Sequence, residues 1–335
     1  MRTVILVVKG VVKISKKGST IVISIPRRNE KKEILWETQT IPILDLELVV
    51  IVGSRARISS GVLLMLSEAG IPVLLHGKMS DSFLMNPYIV KIAETRRRLY
   101  NIYENLSWRI AIGKSLIDGK LKGLVNLGRY LAYKDAEKGK DSKYVLEELT
   151  NIEKSKNEEV DDVRSVEELR LYEAKWSKRL WEILTTFIPS EYGFTGRDPK
   201  SKDPINSTIN YTYAIIYSLC THALIASGLD PYVGIIHSER AGKTSLTYDF
   251  SEMFKPIAIH AVIVASRQLR ILTDTHGYLT RESLETVTKQ LYRLLKKKHR
   301  KWKYSARGEI YAKAWELRQN IERGTPFKPF TYEIK

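Results

Sequence analysis

A single cysteine, Cys220, stands among the 335 residues, so no internal disulfide can form and a cytosolic setting is expected. It lies in the apolar run from Ala214 to Cys220 and reads as a core residue. Long hydrophobic runs are lacking as well. Stretches such as Leu48 to Val52 fall far short of the ~20 residues that a membrane-spanning helix needs, so no membrane segment is expected. The N-terminal MRTVILVVKGVV has the flavour of a short signal peptide but no small-residue cleavage site, and it passes into an alternating pattern, which reads as a first strand. No internal repeat and no low-complexity tract are present. What is abundant is positive charge: 55 Lys and Arg against 38 Asp and Glu, a formal net charge of +17. Such an excess points to a polyanionic partner, either nucleic acid or an anionic membrane surface. The length allows two domains.

The texture of the chain changes near Pro87. Before it, β-branched runs at Val4 to Val8, Thr20 to Ser24 and Leu48 to Val52 alternate with glycine and charged turns, and Lys16-Lys17-Gly18 suits a hairpin. Ile58-Ser59-Ser60 opens one short helix, with a serine N-cap and Gly70 as its stop. After it the pattern is helical. Tyr88 to Leu116 reads as one long helix carrying the basic ridge Arg96-Arg97-Arg98. Lys134 to Arg164 is dense in charge, with an amphipathic helix expected at Tyr144 to Ile152 and a mobile stretch at Lys154 to Asp162. Helices are expected at Val166 to Phe187 and Ser207 to Ala226. The expected fold class is therefore α+β: a β-sandwich-like domain (1–85) with one short helix, a linker or helix start (86–98), and a larger all-α domain (99–335). The segment Lys289 to Arg307 interleaves basic residues with Tyr292, Trp302 and Tyr304. It is either a solvated helix face or a surface that tracks phosphates while its aromatics stack on bases.

The stretch from Gly228 to Pro256 concentrates chemistry. His237 follows the apolar run Gly234-Ile235-Ile236, Asp249 follows twelve residues later, and Glu252 three after that. A histidine and two carboxylates in a basic protein suit a divalent metal acting on a polyanion. His237 is equally readable as a satisfied core histidine. A further acid sits where a solvated one should not. Glu173 shares a helical face with Trp176, Ser177, Leu180 and Leu184, so its carboxylate needs a lysine, an arginine or a metal to compensate it.

These residues carry a resemblance. Asn206 to Tyr213, Gly228-Leu-Asp-Pro231, Gly234 to His237, Ser245-Leu246, Asp249 and Glu252 to Pro256 resemble the signature series of the CRISPR-associated adaptation integrase family. So do Glu173-Ala174 with Trp181, and in the first half Ile51-Val52-Gly53, Ile58-Ser59-Ser60 and Glu68 to Val73. The resemblance implies an N-terminal domain that mediates homodimerisation and a helical catalytic domain. It implies Mg²⁺ or Mn²⁺ held by Glu173, His237 and Glu252, with Asp249 auxiliary. Glu252 stands where the family often has aspartate, Lys255 where it usually has arginine, and no Asn-Gln pair follows Lys114 in the long helix. The partners implied are double-stranded DNA, DNA with single-stranded or branched ends, and a small ferredoxin-like CRISPR adaptation protein. Lys243 and Arg240 in the loop between the ligands, Arg197 before Asn206, and Lys255 are the candidate DNA contacts.

Two carboxylates and an imidazole form a hard donor set, suited to Mg²⁺ or Mn²⁺ rather than structural zinc. The activity that the resemblance implies is insertion of spacer DNA by attack of a 3′-hydroxyl on a phosphodiester. The rivals are a structure-selective nuclease on branched DNA and a non-catalytic nucleic-acid-binding protein whose acids form core ion pairs.

Overall fold

The computed structural model describes residues 5–9, 11–28, 33–46, 48–52, 55–69, 71, 73–76, 81–84, 93–238, 242–274 and 276–334. The chain divides into two units, Met1–Lys91 and Ile92–Lys335.

In the first unit the strands are β1 (Ile5–Lys9), β2 (Val12–Lys17), β3 (Thr20–Arg28), β4 (Ile34–Pro42), β5 (Leu48–Val52) and β6 (Ala56–Ile58). Helix α1 (Ser60–Glu68) follows, then β7 (Val73–His76) and β8 (Asp81–Leu84). They form two four-stranded sheets, ordered β1-β5-β7-β8 and β4-β3-β2-β6. Alternation sets the inner faces: Val12, Ile14, Ile21 and Ile23 of the second sheet are buried while Lys13 and Ser15 between them are exposed. Those residues share one core with Val49 and Ile51 of the first sheet and with Val62, Met65 and Leu66 of α1. The hairpin turn falls at Gly18, whose φ of +58° suits a residue without Cβ. Ser59 caps α1 in backbone geometry only, with no side-chain hydrogen bond. Gly70 lies outside the described residues.

The second unit is helical: α2 (Ala93–Tyr103), α3 (Leu106–Ala136), α4 (Lys143–Glu159), α5 (Val166–Thr185), α6 (Pro204–Ala226), α7 (Ser245–Ser251), α8 (Lys255–Gln268), α9 (Arg281–Lys296) and α10 (Ala306–Arg323). Two expectations need correction here. The helix expected to run unbroken from Tyr88 to Leu116 is two helices. Asn105 ends the first and caps the second, its side chain accepting from the Trp108 N–H at 3.0 Å. The charged stretch expected to be mobile at Lys154 to Asp162 is helical to Glu159 and then makes a 3-10 turn. Its anchor is Lys156, wholly buried, whose carbonyl accepts from the Tyr172 hydroxyl at 2.8 Å and whose ammonium lies 3.2 Å from Asp118. Charge density alone missed this, because a lysine satisfied by a carboxylate can be core.

Helix α3 is the axis of this unit. Ile112, Leu116, Ile117, Leu121, Leu124, Leu127 and Leu131 are buried along it, and α4, α5 and α8 pack against it. Helix α5 opens with a full capping box, Ser165 and Glu168 each bonding the other's backbone N–H.

Candidate active site

The site begins with two residues of α3. A Cβ at Gly119 would press on Met253 and Pro329 at 3.0 Å and on the Phe330 carbonyl, and one at Gly123 would meet Pro256 at 2.9 Å. Their bareness lets the 3-10 turn Glu252–Phe254 and the start of α8 lie directly against α3. Lys120, between these glycines, is only 7% exposed. It shares the apolar face of Leu116, Ile117, Leu121 and Leu124.

The Lys120 ammonium donates to Glu173 Oε1 from α5 and lies 2.7 Å from Glu252 Oε2. Glu173 Oε1 also accepts from the Ser177 hydroxyl at 2.7 Å, one helical turn on. Lys255 donates to Glu252 Oε1. Its ammonium also lies over the Tyr213 ring, 5.2 Å from the centroid. Thus the carboxylate on the wrong face of α5 is compensated by a lysine. The ammonium approaches Glu252 Oε2 off the direction that a hydrogen bond requires, which leaves this buried oxygen without a donor. Burial alone would raise the Glu252 pKa, but Lys120 and Lys255 overcome it and bring it to about 2. Burial likewise opposes the charge on Lys120, and Glu173 and Glu252 outweigh it, so its pKa lies above the usual lysine range.

His237 is positioned by different contacts. Asp249, fully buried, accepts the backbone N–H of Ile235 at 2.6 Å, of Ile236 at 2.8 Å and of His237 at 3.1 Å. It also takes the imidazole Nδ1–H. Arg170 and Arg109 donate to the carbonyls of Ile236 and Ile235, at 2.8 and 3.1 Å, and hold the same turn from its other side. Gly234 permits the turn, since a methyl there would run into the His237 carbonyl and Ser245. With Nδ1–H bound, the lone pair of the half-exposed ring is on Nε2. The hydrogen bond to Asp249 outweighs burial and raises the His237 pKa, helped by the charges of Asp249 and Glu252.

Asp249 and Glu252, three residues apart, therefore face different partners. The helix α7 ends at Ser251, and the tighter 3-10 turn sends Glu252 towards α3. Of the candidate DNA contacts, Lys243 is exposed and Arg240 lies outside the described residues. Arg197 is held by its own chain, donating to Asn206 Oδ1 at 3.0 Å and Asn210 Oδ1 at 2.6 Å, with its guanidinium over Tyr213. Arg197 and Lys255 thus flank one ring. In the basic segment Trp302 is packed inside and Tyr292 is largely covered, while Tyr304 is exposed, so stacking on bases is open to the last of the three.

Among the described residues no three His, Cys, Asp or Glu side chains stand close enough together to hold a metal ion. The cation at the meeting point of Glu173 and Glu252 is the Lys120 ammonium. The donor chemistry still fits a hard divalent ion. Two carboxylates from separate elements aim at one point, Glu252 Oε2 has no aligned donor, and the imidazole keeps Nε2 available. Lys120 is the member of this cluster that sequence reasoning overlooked, in favour of Lys114 as the helix's notable lysine. Its signal was present: a lysine on an apolar face, the criterion that singled out Glu173.

Comparison with known proteins identifies the family. The sequence pattern of the family described as CRISPR associated protein Cas1 matches residues 5–297. The chain belongs to the Cas1 family. A CRISPR-associated endonuclease Cas1 of Hyperthermus butylicus is 29% identical over 295 residues, covering 85% of this chain and 88% of the relative. One from Archaeoglobus fulgidus is 30% identical over 249 residues, 68% and 70% of the two chains. Among solved structures, a casposase bound to integration product superposes with a TM-score of 0.81 at 22% identity, over 99% of this chain and 94% of that one. A Cas1 protein from Thermotoga maritima gives 0.75 at 17% identity, over 97% and 99%. A Cas6-RT-Cas1–Cas2 complex also gives 0.75, at 18% identity, over all of this chain and 36% of that one. The Cas1 fold, a small β domain followed by a largely helical one, is thus common to this chain and proteins of that name. Among the described residues no helix is long and apolar enough to cross a membrane.

Proposed function

We propose that this Cas1 protein is a divalent-metal-dependent DNA integrase and endonuclease that inserts new DNA into CRISPR arrays, with Glu173, Glu252 and His237 Nε2 as ligands. The observation that carries the proposal is the meeting of Glu173 and Glu252, from separate helical elements, at one cation-filled point of a strongly basic protein. A bound Mg²⁺ or Mn²⁺ would supply Lewis-acid polarisation of the phosphate and stabilise the leaving oxygen. The chain's own residues do the rest. Asp249 orients the imidazole through Nδ1 and is a positioning residue rather than the second acidic ligand. Lys255 and Arg197, ranged on Tyr213, are cations for the phosphate oxygens, and Lys243 contacts the DNA backbone beyond. No protein nucleophile is required. A DNA 3′-hydroxyl forms the new P–O bond, and the displaced strand leaves with its own 3′-oxygen. The β domain mediates a homodimer, and a small partner protein completes the assembly, a reading supported by the fold shared with a Cas1–Cas2 complex.

A strand-transfer assay with Mn²⁺, a labelled duplex bearing free 3′-hydroxyls and a supercoiled target tests this. Joined product from wild type, lost in Glu173→Gln and Glu252→Gln, is the expected result. Release of fragments without joining would identify a structure-selective nuclease instead. Full metal-dependent activity in Glu173→Gln would reduce the acids to core ion pairs.

A further inference from the structure

We infer that the centre takes up a divalent cation and DNA phosphate as a coupled pair rather than the cation alone, and that Lys120 enforces the coupling. The inference rests on the assignment of Glu173 and Glu252 as ligands. The two carboxylates are already matched by two ammonium groups, Lys120 on both acids and Lys255 on Glu252. The cluster is neutral before any ligand arrives, so a divalent ion entering by itself would face two buried positive charges with no anion added. A DNA phosphate brings the missing negative charge and offers the lysines another acceptor. Lys120 has a flexible stem, and its hold on Glu252 Oε2 is an ion pair without an aligned hydrogen bond, so this arm opens at the lesser cost. Moving the ammonium from Glu252 to a non-bridging phosphate oxygen frees the carboxylate for the metal. It also places a donor on the phosphate. Lys255 is anchored over Tyr213 and Tyr217, at 5.2 and 5.7 Å, and stays as the fixed counter-charge.

The test is Mn²⁺ binding to the metal-stripped full chain, followed by the electron paramagnetic resonance signal of free Mn²⁺. Titrations are made with and without a short 3′-dideoxy duplex, the duplex alone being subtracted. For wild type, DNA should tighten Mn²⁺ binding about tenfold or more, and Mn²⁺ should tighten DNA binding by the same factor. In Lys120→Met the DNA-free affinity should rise about tenfold and the coupling factor should fall towards one, with Lys120→Gln as a second variant of similar length. Equal Mn²⁺ affinity with and without DNA in wild type overturns the inference, and this arm needs no variant to fold. So does a folded Lys120→Met that binds DNA-free Mn²⁺ no more tightly than wild type. Glu173→Gln separates the two ideas: if it leaves Mn²⁺ binding unchanged in both conditions, the ligand assignment itself has failed.

Discussion

Asp249 makes a quantitative test of how the histidine is held. Asp249→Ala would strand the backbone donors of Ile235 and Ile236, which sit in a turn that is 1% and 3% exposed, whereas those of the half-exposed His237 can turn to water. An unsatisfied buried donor costs ~1–3 kcal/mol, so two of them give a loss of about 4 kcal/mol. For a folding unit the size of residues 92–335 each kcal/mol is worth ~2–4 °C, which predicts a melting temperature lower by about 8–16 °C. Asp249→Asn keeps the shape and an acceptor oxygen and should lose roughly half of that. The second readout is the imidazole. In wild type the Asp249 hydrogen bond raises the His237 pKa; in Asp249→Asn it should fall back towards or below the ordinary ~6.5. A raised folded-state histidine pKa stabilises fully below the unfolded value, and that stabilisation is lost as pH rises through the folded value. The melting-temperature gap between wild type and Asp249→Asn should therefore be widest near pH 5.5 and narrow towards pH 8.5. Circular-dichroism melts across that range and an NMR titration of metal-free protein measure both. A loss below ~1 kcal/mol in both variants with an unmoved His237 titration would refute the cradle, as would a gap that widens with pH.

Three further outcomes follow from contacts elsewhere. His260 and His222, bonded to the Tyr332 and Tyr311 hydroxyls, are held neutral by burial, at about 3 and about 4. Both depressed values mean stability present above ~6.5 and lost as pH falls, by roughly 3 kcal/mol per pH unit for the pair; urea unfolding at pH 6.5, 5.5 and 4.5 should show His260→Gln flattening that slope, and an unchanged slope counts against it. Lys156→Met should be neutral or stabilising in thermal melts, since burial depresses the lysine pKa and Asp118 keeps Lys122 at 2.7 Å; a loss above ~2 kcal/mol would contradict this. Gly234→Ala should lose ~1–3 kcal/mol and most strand transfer together, because the methyl displaces the His237 carbonyl; normal activity would show that the turn tolerates it.

Much of this protein was legible in one dimension because local patterns have local causes. The β-branched run Thr20 to Ser24 beside the turn at Gly18 announced a strand, and a 3.6-residue period announced α5. Glu173 stood out because a carboxylate on an apolar stripe demands a counter-charge. Three things belonged to the tertiary structure. Asn105 splits the long helix through a single cap hydrogen bond, which periodicity on both sides conceals. Asp249 and Glu252 part company because α7 tightens to a 3-10 turn at the residue between their two environments. The counter-charge of Glu173 proved to be Lys120, fifty-three positions away. Sequence could state that Glu173 needs a cation, since desolvation makes the demand at one residue. Only the packing of α3 against α5, and against the Glu252 turn that the bareness of Gly119 and Gly123 admits, decides which cation arrives.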